Sequence, residues 1–112
     1  MRMWMVDSKK MCRKHLGAEY VECLMIAACM KRKRRLDGYF AHNCIEPKSL
    51  VSRFAELKKE MLRRGYRARR TLLRADFSYL PAGQQRFRID RKASSAMLYG
   101  RCAECRKAAG KA

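Results

Sequence analysis

Apolar residues recur at helical spacing in the first part of the chain. The positions that keep this period are Met11, Leu16, Val21, Leu24, Met25, Ala28 and Met30. Asp7 and Ser8 stand just before them, and both residue types are common helix N-caps. The pattern therefore predicts a first helix from about Lys9 to Met30. The basic run 31–35 follows, where the helix dipole favours positive charge.

A second helix has clearer boundaries. Pro47 suits a first helical position, and Gly65 suits the residue just past a helix end. The apolar positions between them are Leu50, Phe54, Leu57 and Met61. The polar residues that we expect on the opposite, solvent-facing side are Arg53, Glu56, Lys59, Arg63 and Arg64.

Two segments have no sustained period. Asp37-Gly38 breaks the chain after the first helix, so residues 38–46 are expected to form a loop. Residues 66–88 contain Pro81 and Gly83, and we expect an irregular connection there with a short turn of helix.

A third helix is expected from about Arg91 to Tyr99, capped by Asp90. The tail, residues 99–112, is expected to be partly disordered and frayed at its end. We therefore predict one all-α domain over residues 1–112. It is a compact bundle of about three helices with an irregular connection and a basic surface.

The charge of the chain indicates a polyanionic partner. There are 28 Lys and Arg residues against 10 Asp and Glu, a formal net charge of +18. Nucleic acid is the first candidate partner and an anionic membrane surface the second. The apolar run 21–30 is too short to span a bilayer, and no signal-peptide pattern precedes it. We expect a cytoplasmic protein that has no membrane partner.

Three ionisable residues are aligned on the first helix. His15, Glu19 and Glu22 lie in "KHLGAEYVE" (14–22), and on a helix they fall within about 60° of one another. One interpretation is a solvated stripe paired with nearby basic residues. The other is an acid–base stripe beside a cleft, where a partly desolvated carboxylate acts as a general acid or base. The spacing is compatible with both.

Four segments together resemble the pyrimidine-dimer DNA glycosylase family. They are "MRMW" (1–4), "KHLGAEYVE" (14–22), "GY" (38–39) and "RRGY" (63–66). The resemblance covers residues 1–66 well, and the third helix with its "RCAECR" tail weakly. It implies a compact all-α fold and a DNA-repair enzyme that is both a glycosylase and an abasic-site lyase.

The resemblance also implies catalytic roles for Met1 and Glu22. The α-amino group of Met1 would attack the anomeric carbon of the sugar, expel the base and form a Schiff base. Glu22 would then assist proton removal and β-elimination of the phosphate. An α-amino group has a reference pKa of about 7.7–8.0, against about 10.4 for lysine, so more of it is a free nucleophile at neutral pH. Arg2 is large, so we expect Met1 to be retained.

Supporting roles follow for neighbouring residues. By resemblance, His15 lies near the DNA backbone, where it can bind a phosphate or orient Glu22. The alternative interpretation of His15 is a structural histidine held by hydrogen bonds. Arg2, Arg13 and Lys14 are candidate phosphate contacts. We expect Glu19 either to pack between helices or to support the site residues from behind.

The chain departs from the family pattern beside Glu22. Val21 and Met25 stand where the phage member of this family has two arginines. The aromatic, basic C-terminal segment of that member is missing from this chain. The resemblance therefore implies cleavage of abasic sites more directly than recognition of pyrimidine dimers. The expected partner is damaged or abasic duplex DNA, and the expected state is a monomer. The alternative is a non-catalytic basic DNA- or RNA-binding protein, including a ribosome-associated one.

The cysteines offer a candidate metal site. Cys102 and Cys105 have the spacing that brings two thiolates onto one metal ion. His42 and Cys44 would complete a set of three cysteines and one histidine for zinc. The alternative is a reduced thiol pair without a metal. No other cofactor is expected.

Overall fold

The computed structural model describes residues 1–111, and its regular elements are all helical. The six α-helices are α1 (Arg13–Lys31), α2 (Asp37–Ala41), α3 (Leu50–Arg63), α4 (Ala82–Gln85), α5 (Arg91–Arg101) and α6 (Ala103–Lys111). Two 3-10 turns cover Ser8–Lys10 and Pro47–Ser49. The all-α prediction is confirmed, but the described chain has six helices rather than about three. None of these helices is both long and apolar enough to cross a membrane.

The additional helices are short or lie near the C-terminus. α2 falls largely within the segment expected to be a loop, and α4 is the short helical turn expected in 66–88. Helices of five and four residues are too short to show a period in the sequence. α6 occupies most of the tail in which disorder was expected. The fraying expected at the very end falls partly on Ala112, which lies outside the described residues.

The start of the first helix differs from the prediction. The Asp7 side chain accepts a hydrogen bond from Lys9 N at 3.0 Å and caps only the 3-10 turn. Met11 is extended, which separates that turn from α1. α1 begins at Arg13, and the sulfur of Cys12 accepts the capping bond from His15 N at 3.4 Å. Cysteine is not among the usual capping residues, so this helix start could not be recognised from the sequence.

The predicted start and end of the second helix and the predicted start of the third helix are confirmed. Pro47 begins the 3-10 turn that continues into α3, and Gly65 follows the end of α3 with φ +84°. Glycine adopts this left-handed conformation without the strain of a side chain. The Asp90 side chain accepts a hydrogen bond from Ala93 N at 3.0 Å and caps α5. α5 continues to Arg101, two residues beyond the expected end.

The core lies mainly between α1 and α3. The buried apolar residues of these helices are Leu16, Tyr20, Cys23, Ile26, Ala27 and Met30 of α1, and Leu50, Phe54, Leu57 and Met61 of α3. Tyr20 and Phe54 stack with their ring centroids 4.9 Å apart. Burying each large side chain contributes about 1.5–3 kcal/mol, so this contact largely fixes how the two helices pack.

A buried ion pair crosses this core. Arg53, expected to face solvent, is only 2% exposed. Its Nε donates to Glu19 Oε2 at 2.5 Å and its Nη2 donates to Glu19 Oε1 at 2.8 Å. Its Nη1 donates to the Val6 carbonyl at 2.5 Å. One guanidinium therefore connects α1, α3 and the N-terminal segment. Glu19 is a packing residue, as expected, and its buried carboxylate is paired with Arg53.

Glu46 forms a second buried carboxylate centre. It is 0% exposed and accepts hydrogen bonds from Ser49 Oγ and from Ile89 N at 2.8 Å. Arg88 and Arg91 each lie 3.1 Å from its oxygens. Burial alone would raise the pKa of Glu46, but the bonds from Arg91, Ser49 and Ile89 lower it to about 2. Glu46 thus joins the start of α3 to the segment before α5.

Arg53→Met is expected to destabilise the fold by about 3–5 kcal/mol, because it leaves the Glu19 carboxylate buried without its partner. The double variant Arg53→Met/Glu19→Leu is expected to recover part of this loss, since two apolar side chains can replace a buried pair. Urea unfolding measures both values. Arg35→Met is the matched control, because its partner Asp37 is exposed, and it should have little effect. A double variant as unstable as Arg53→Met would contradict the coupling.

The stability of the fold is expected to fall in acid because of Glu46. The pKa of Glu46 is about 2 in the folded chain, below the ordinary value of 4.5. Its contribution to stability is therefore complete above about pH 4.5 and is lost as the pH falls towards 2. Glu46→Gln should lower the free energy of unfolding at neutral pH and flatten this fall. Urea unfolding across the acid range tests it, with Glu104→Gln as an exposed control. An unchanged pH dependence in Glu46→Gln would refute the assignment.

Candidate active site at the N-terminus

Residues 1–6 form no helix, and hydrogen bonds along their backbone hold them in place. Met3 N donates to the Cys44 carbonyl at 2.7 Å, and Ser94 Oγ donates to the Trp4 carbonyl at 2.5 Å. The hydrogen bond from Arg53 to the Val6 carbonyl is a third anchor. The side chains of Met3, Trp4 and Val6 are also buried. The first residue is therefore attached to a fixed segment rather than to a free end.

This segment places the Met1 amine beside α1. The α-amino nitrogen of Met1 lies 3.8 Å from Glu22 Oε1. The Glu22 side chain is 28% exposed, so its carboxylate is partly desolvated yet accessible. The structure thus brings together the two residues to which the resemblance assigns catalysis. An amine next to a carboxylate can combine nucleophilic attack with proton transfer.

An open cleft of about 650 Å³ lies over this pair. Its lining includes Met1 and Glu22, together with Arg2, Trp4, His15, Gly38, Tyr39 and His42. The volume falls in the range of about 300–1,000 Å³ that is usual for small-ligand sites. The α2 residues Gly38 and Tyr39 form part of its wall, so the unexpected short helix contributes to the site.

Arg2 and Trp4 form a cationic and aromatic wall of this cleft. The Arg2 guanidinium carbon lies 5.0 Å from the centroid of the Trp4 ring, a cation–π contact. Trp4 in turn meets the His15 ring edge to face, with centroids 5.9 Å apart. Arg2 therefore holds a positive charge in the same cleft as Met1, where an anionic group of a ligand can be bound.

His15 also faces a cluster of sulfur atoms. Its Nδ1 lies 3.3 Å from Cys12 Sγ and 3.6 Å from Cys105 Sγ. The sulfurs of Cys12 and Cys102 are 3.9 Å apart. The ligand atoms of these four residues all lie within 4.8 Å of one another, close enough for one metal ion to contact them all.

This cluster corrects the metal ligands expected from the sequence. Cys102 and Cys105 belong to it, but within the described residues their partners are Cys12 and His15. His42 and Cys44 are not members of the cluster, and the Cys44 thiol donates to the His42 carbonyl at 3.4 Å. The sequence held a signal for these two neighbours. Cys12 and His15 are separated by two residues, the same spacing as in the other pair.

The two cysteines of the C-terminal pair have different electrostatic surroundings. Burial raises the pKa of the Cys105 thiol to about 12. Cys105 N donates to Cys102 Sγ at 3.4 Å, and this hydrogen bond lowers the pKa of the Cys102 thiol. In the absence of a positive charge, the buried Cys105 sulfur therefore keeps its proton.

The remaining predicted contact residues are accessible. Arg13 and Lys14 are exposed at the start of α1, and the Arg13 guanidinium lies 4.9 Å from the centroid of the Tyr66 ring. The basic run 31–35 is also exposed at the end of α1. Val21 and Met25, which flank Glu22 in sequence, are 51% and 49% exposed. Two exposed apolar side chains therefore stand close in sequence to Glu22, the candidate acid–base residue.

Comparison with known proteins gave one family match, and the matched segment includes residues of this site. The family described as pyrimidine dimer DNA glycosylase matches residues 1–73 of the 112-residue chain. The match includes Met1, Arg2, His15 and Glu22, and it ends before α4. Neither the curated proteins nor the solved structures that were compared gave a match.

Proposed function

The chain belongs to the pyrimidine dimer DNA glycosylase family, and from this premise we propose that it is a DNA glycosylase and abasic-site lyase. Met1 supplies the nucleophile and Glu22 supplies the acid–base group. The observation that carries this assignment is the 3.8 Å contact between the Met1 amine and the Glu22 carboxylate. It lies in a cleft of about 650 Å³, within the matched part of the chain.

The first step forms a covalent intermediate. The unprotonated Met1 amine forms a bond to C1′ of the damaged nucleotide, while the bond from C1′ to the base breaks. The base leaves with that electron pair and takes up a proton from water. The sugar ring then opens as the nitrogen gives a proton to the ring oxygen, which leaves a protonated Schiff base. At an abasic site the amine condenses with the sugar aldehyde and water is lost instead.

The second step cleaves the strand. Glu22 accepts a proton from C2′, and the electron pair of that C–H bond forms a double bond between C2′ and C3′. The bond from C3′ to oxygen breaks, and the 3′ phosphate leaves with its electrons. The proximity of Glu22 to the nucleophile supports this role, since a general base acts only within short reach of the proton it removes. The mechanism requires that Met1 carry a free α-amino group.

The walls of the cleft suit an extruded nucleotide. Enzymes that act on a base or its sugar take the nucleotide out of the stack and hold it against aromatic side chains. Trp4 and Tyr39 line the cleft, and Arg2 provides a positive charge for a phosphate. The exposed Arg13 and Lys14 extend this positive surface along α1.

Abasic DNA is the first substrate that we propose. Val21 and Met25 are exposed on α1 but uncharged, so they add no phosphate contact beside Glu22. Attack on an abasic site needs the amine and the carboxylate, whereas expulsion of a base from a pyrimidine dimer also requires the lesion to be seated. Pyrimidine-dimer DNA is therefore the second substrate to test.

Glu22→Gln is expected to separate binding from cleavage. The amide keeps the shape of the side chain but cannot accept the C2′ proton. The variant should still be trapped by borohydride as an adduct with abasic DNA, while strand cleavage falls by roughly 10²–10⁴-fold. Gel assays of trapping and cleavage measure both. Glu104→Gln is the matched control, because Glu104 is exposed on α6; Glu19→Gln is unsuitable because Glu19 is paired with Arg53 in the core.

Blocking the Met1 amine completes the same experiment. Acetylation, or a tag placed before Met1, should abolish trapping and cleavage together while salt-dependent binding persists. If Glu22→Gln cleaves like the parent, or if the blocked chain still forms the adduct, the mechanism is wrong. Binding without either activity would favour a non-catalytic basic DNA- or RNA-binding protein.

DNA affinity is expected to fall steeply with salt concentration. Each phosphate contact contributes a log–log slope of about −0.9. Neutralising Arg13 and Lys14 to Gln should reduce the slope by about 2, whereas Lys107→Gln on α6 serves as the control. Fluorescence of Trp4, the single tryptophan, provides a readout at the cleft. A slope near zero would exclude phosphate contacts as the main source of affinity.

A further inference from the structure

We propose that Cys12, His15, Cys102 and Cys105 bind one structural zinc ion, which joins the C-terminal helices to the start of α1. This site is separate from the proposed chemistry of Met1 and Glu22. Two ligands come from the N-terminal end of α1, and two come from the junction of α5 and α6.

The spacing of the ligand atoms fits a tetrahedral zinc site. Zinc binds thiolate sulfur at about 2.3 Å and histidine nitrogen at about 2.0–2.1 Å, so sulfurs lie about 3.8 Å apart and sulfur lies about 3.5 Å from nitrogen. The Cys12 and Cys102 sulfurs are 3.9 Å apart. His15 Nδ1 lies 3.3 Å from Cys12 Sγ and 3.6 Å from Cys105 Sγ. A disulfide would instead need a sulfur–sulfur distance of about 2.05 Å.

Backbone N–H groups are arranged to support negative charge on the sulfurs. Cys12 N donates to Cys105 Sγ at 3.3 Å, and Cys105 N donates to Cys102 Sγ at 3.4 Å. His15 N donates to Cys12 Sγ at 3.4 Å. Each of the three sulfurs therefore accepts one backbone hydrogen bond. Such bonds orient metal ligands and offset the charge of three thiolates, which exceeds that of a divalent ion by one.

The ligand set favours zinc over other metals. Thiolates and imidazole select zinc among the common divalent ions, and carboxylates and carbonyls select magnesium or calcium. Iron–sulfur clusters are usually held by four cysteines, and this group has three and a histidine. All four tetrahedral positions would be filled by side chains, which leaves none open for a substrate. The site is therefore structural rather than catalytic.

The zinc would close a long segment of the chain. Cys12 and Cys102 are 90 positions apart, and the metal would join them directly. Cys102 immediately precedes α6, and Cys105 lies in its first turn, so binding would also fix the angle between α5 and α6. Coordination through Nδ1 leaves Nε2 as the N–H donor of the His15 ring, which also lines the cleft.

The test begins with the metal content of the full-length chain. Protein produced in zinc-supplemented medium and purified without chelator is expected to hold about one zinc per chain by mass spectrometry of the metal. Replacement by cobalt should give the visible bands of a tetrahedral site and a thiolate charge-transfer band. Less than about 0.2 zinc per chain, with no tetrahedral cobalt spectrum, would overturn the proposal.

Variants identify the ligands. Cys12→Ser and Cys102→Ser should each lower the zinc content at least about 10-fold after dialysis against a weak chelator. Cys29→Ser is the matched control, because Cys29 is half-buried like both of them but outside the cluster. Cys44→Ser should also keep the metal. If Cys44→Ser loses zinc and Cys12→Ser retains it, the ligand assignment is wrong.

A measurement on the unaltered chain avoids the risk that a variant fails to fold. In the zinc-loaded protein, Cys12, Cys102 and Cys105 should resist alkylation, and a strong chelator should expose them. Cys29 should react equally with and without zinc. Equal reactivity of Cys12 in both states would refute the site. Borohydride trapping is scored separately, so loss of zinc binding and loss of the proposed enzyme activity give different results.

Discussion

The buried ion pair between Arg53 and Glu19 is the contact on which the arrangement of the site depends. Its two charged groups are almost completely removed from water, and desolvation of each costs several kcal/mol. Two hydrogen bonds within the pair, and one from Arg53 to the Val6 carbonyl, offset that cost. Because Val6 lies five residues after Met1, the same guanidinium that joins α1 to α3 also fixes the segment that carries the amine.

The aligned residues of α1 have three different sets of neighbours. His15 contacts the sulfur cluster, Glu19 pairs with Arg53, and Glu22 lies near the Met1 amine. All three point towards other parts of the chain, so the interpretation as a solvated stripe is wrong. Spacings of four and three keep them on one side of the helix, yet each lies about one turn from the next. One side of the helix can therefore carry a packing residue, a neighbour of the proposed nucleophile and a member of the sulfur cluster, and His15 belongs both to the cluster and to the wall of the cleft.

Periodicity and capping residues predicted the elements that have an amphipathic face. Pro47, Gly65 and Asp90 mark boundaries that the structure confirms, because their backbone preferences act locally. Arg53 was placed wrongly because a charged residue is exposed by default, and its partner lies 34 positions away. The residues expected beside Cys102 were wrong for the same reason, because Cys12 and His15 lie there instead of His42 and Cys44. Local spacing identifies a pair of candidate ligands, but only the fold determines which pairs meet.

The C-terminal part of the chain supports the candidate site without supplying its proposed catalytic residues. Residues beyond 73 lie outside the family match, yet Ser94 binds the Trp4 carbonyl and Cys105 lies against His15. Trp4 and His15 are both walls of the cleft and contact each other. A change in how α5 and α6 pack would therefore reach the cleft through these two side chains. The family-matched segment carries the proposed chemistry, and α5 and α6 contact two of the side chains that surround it.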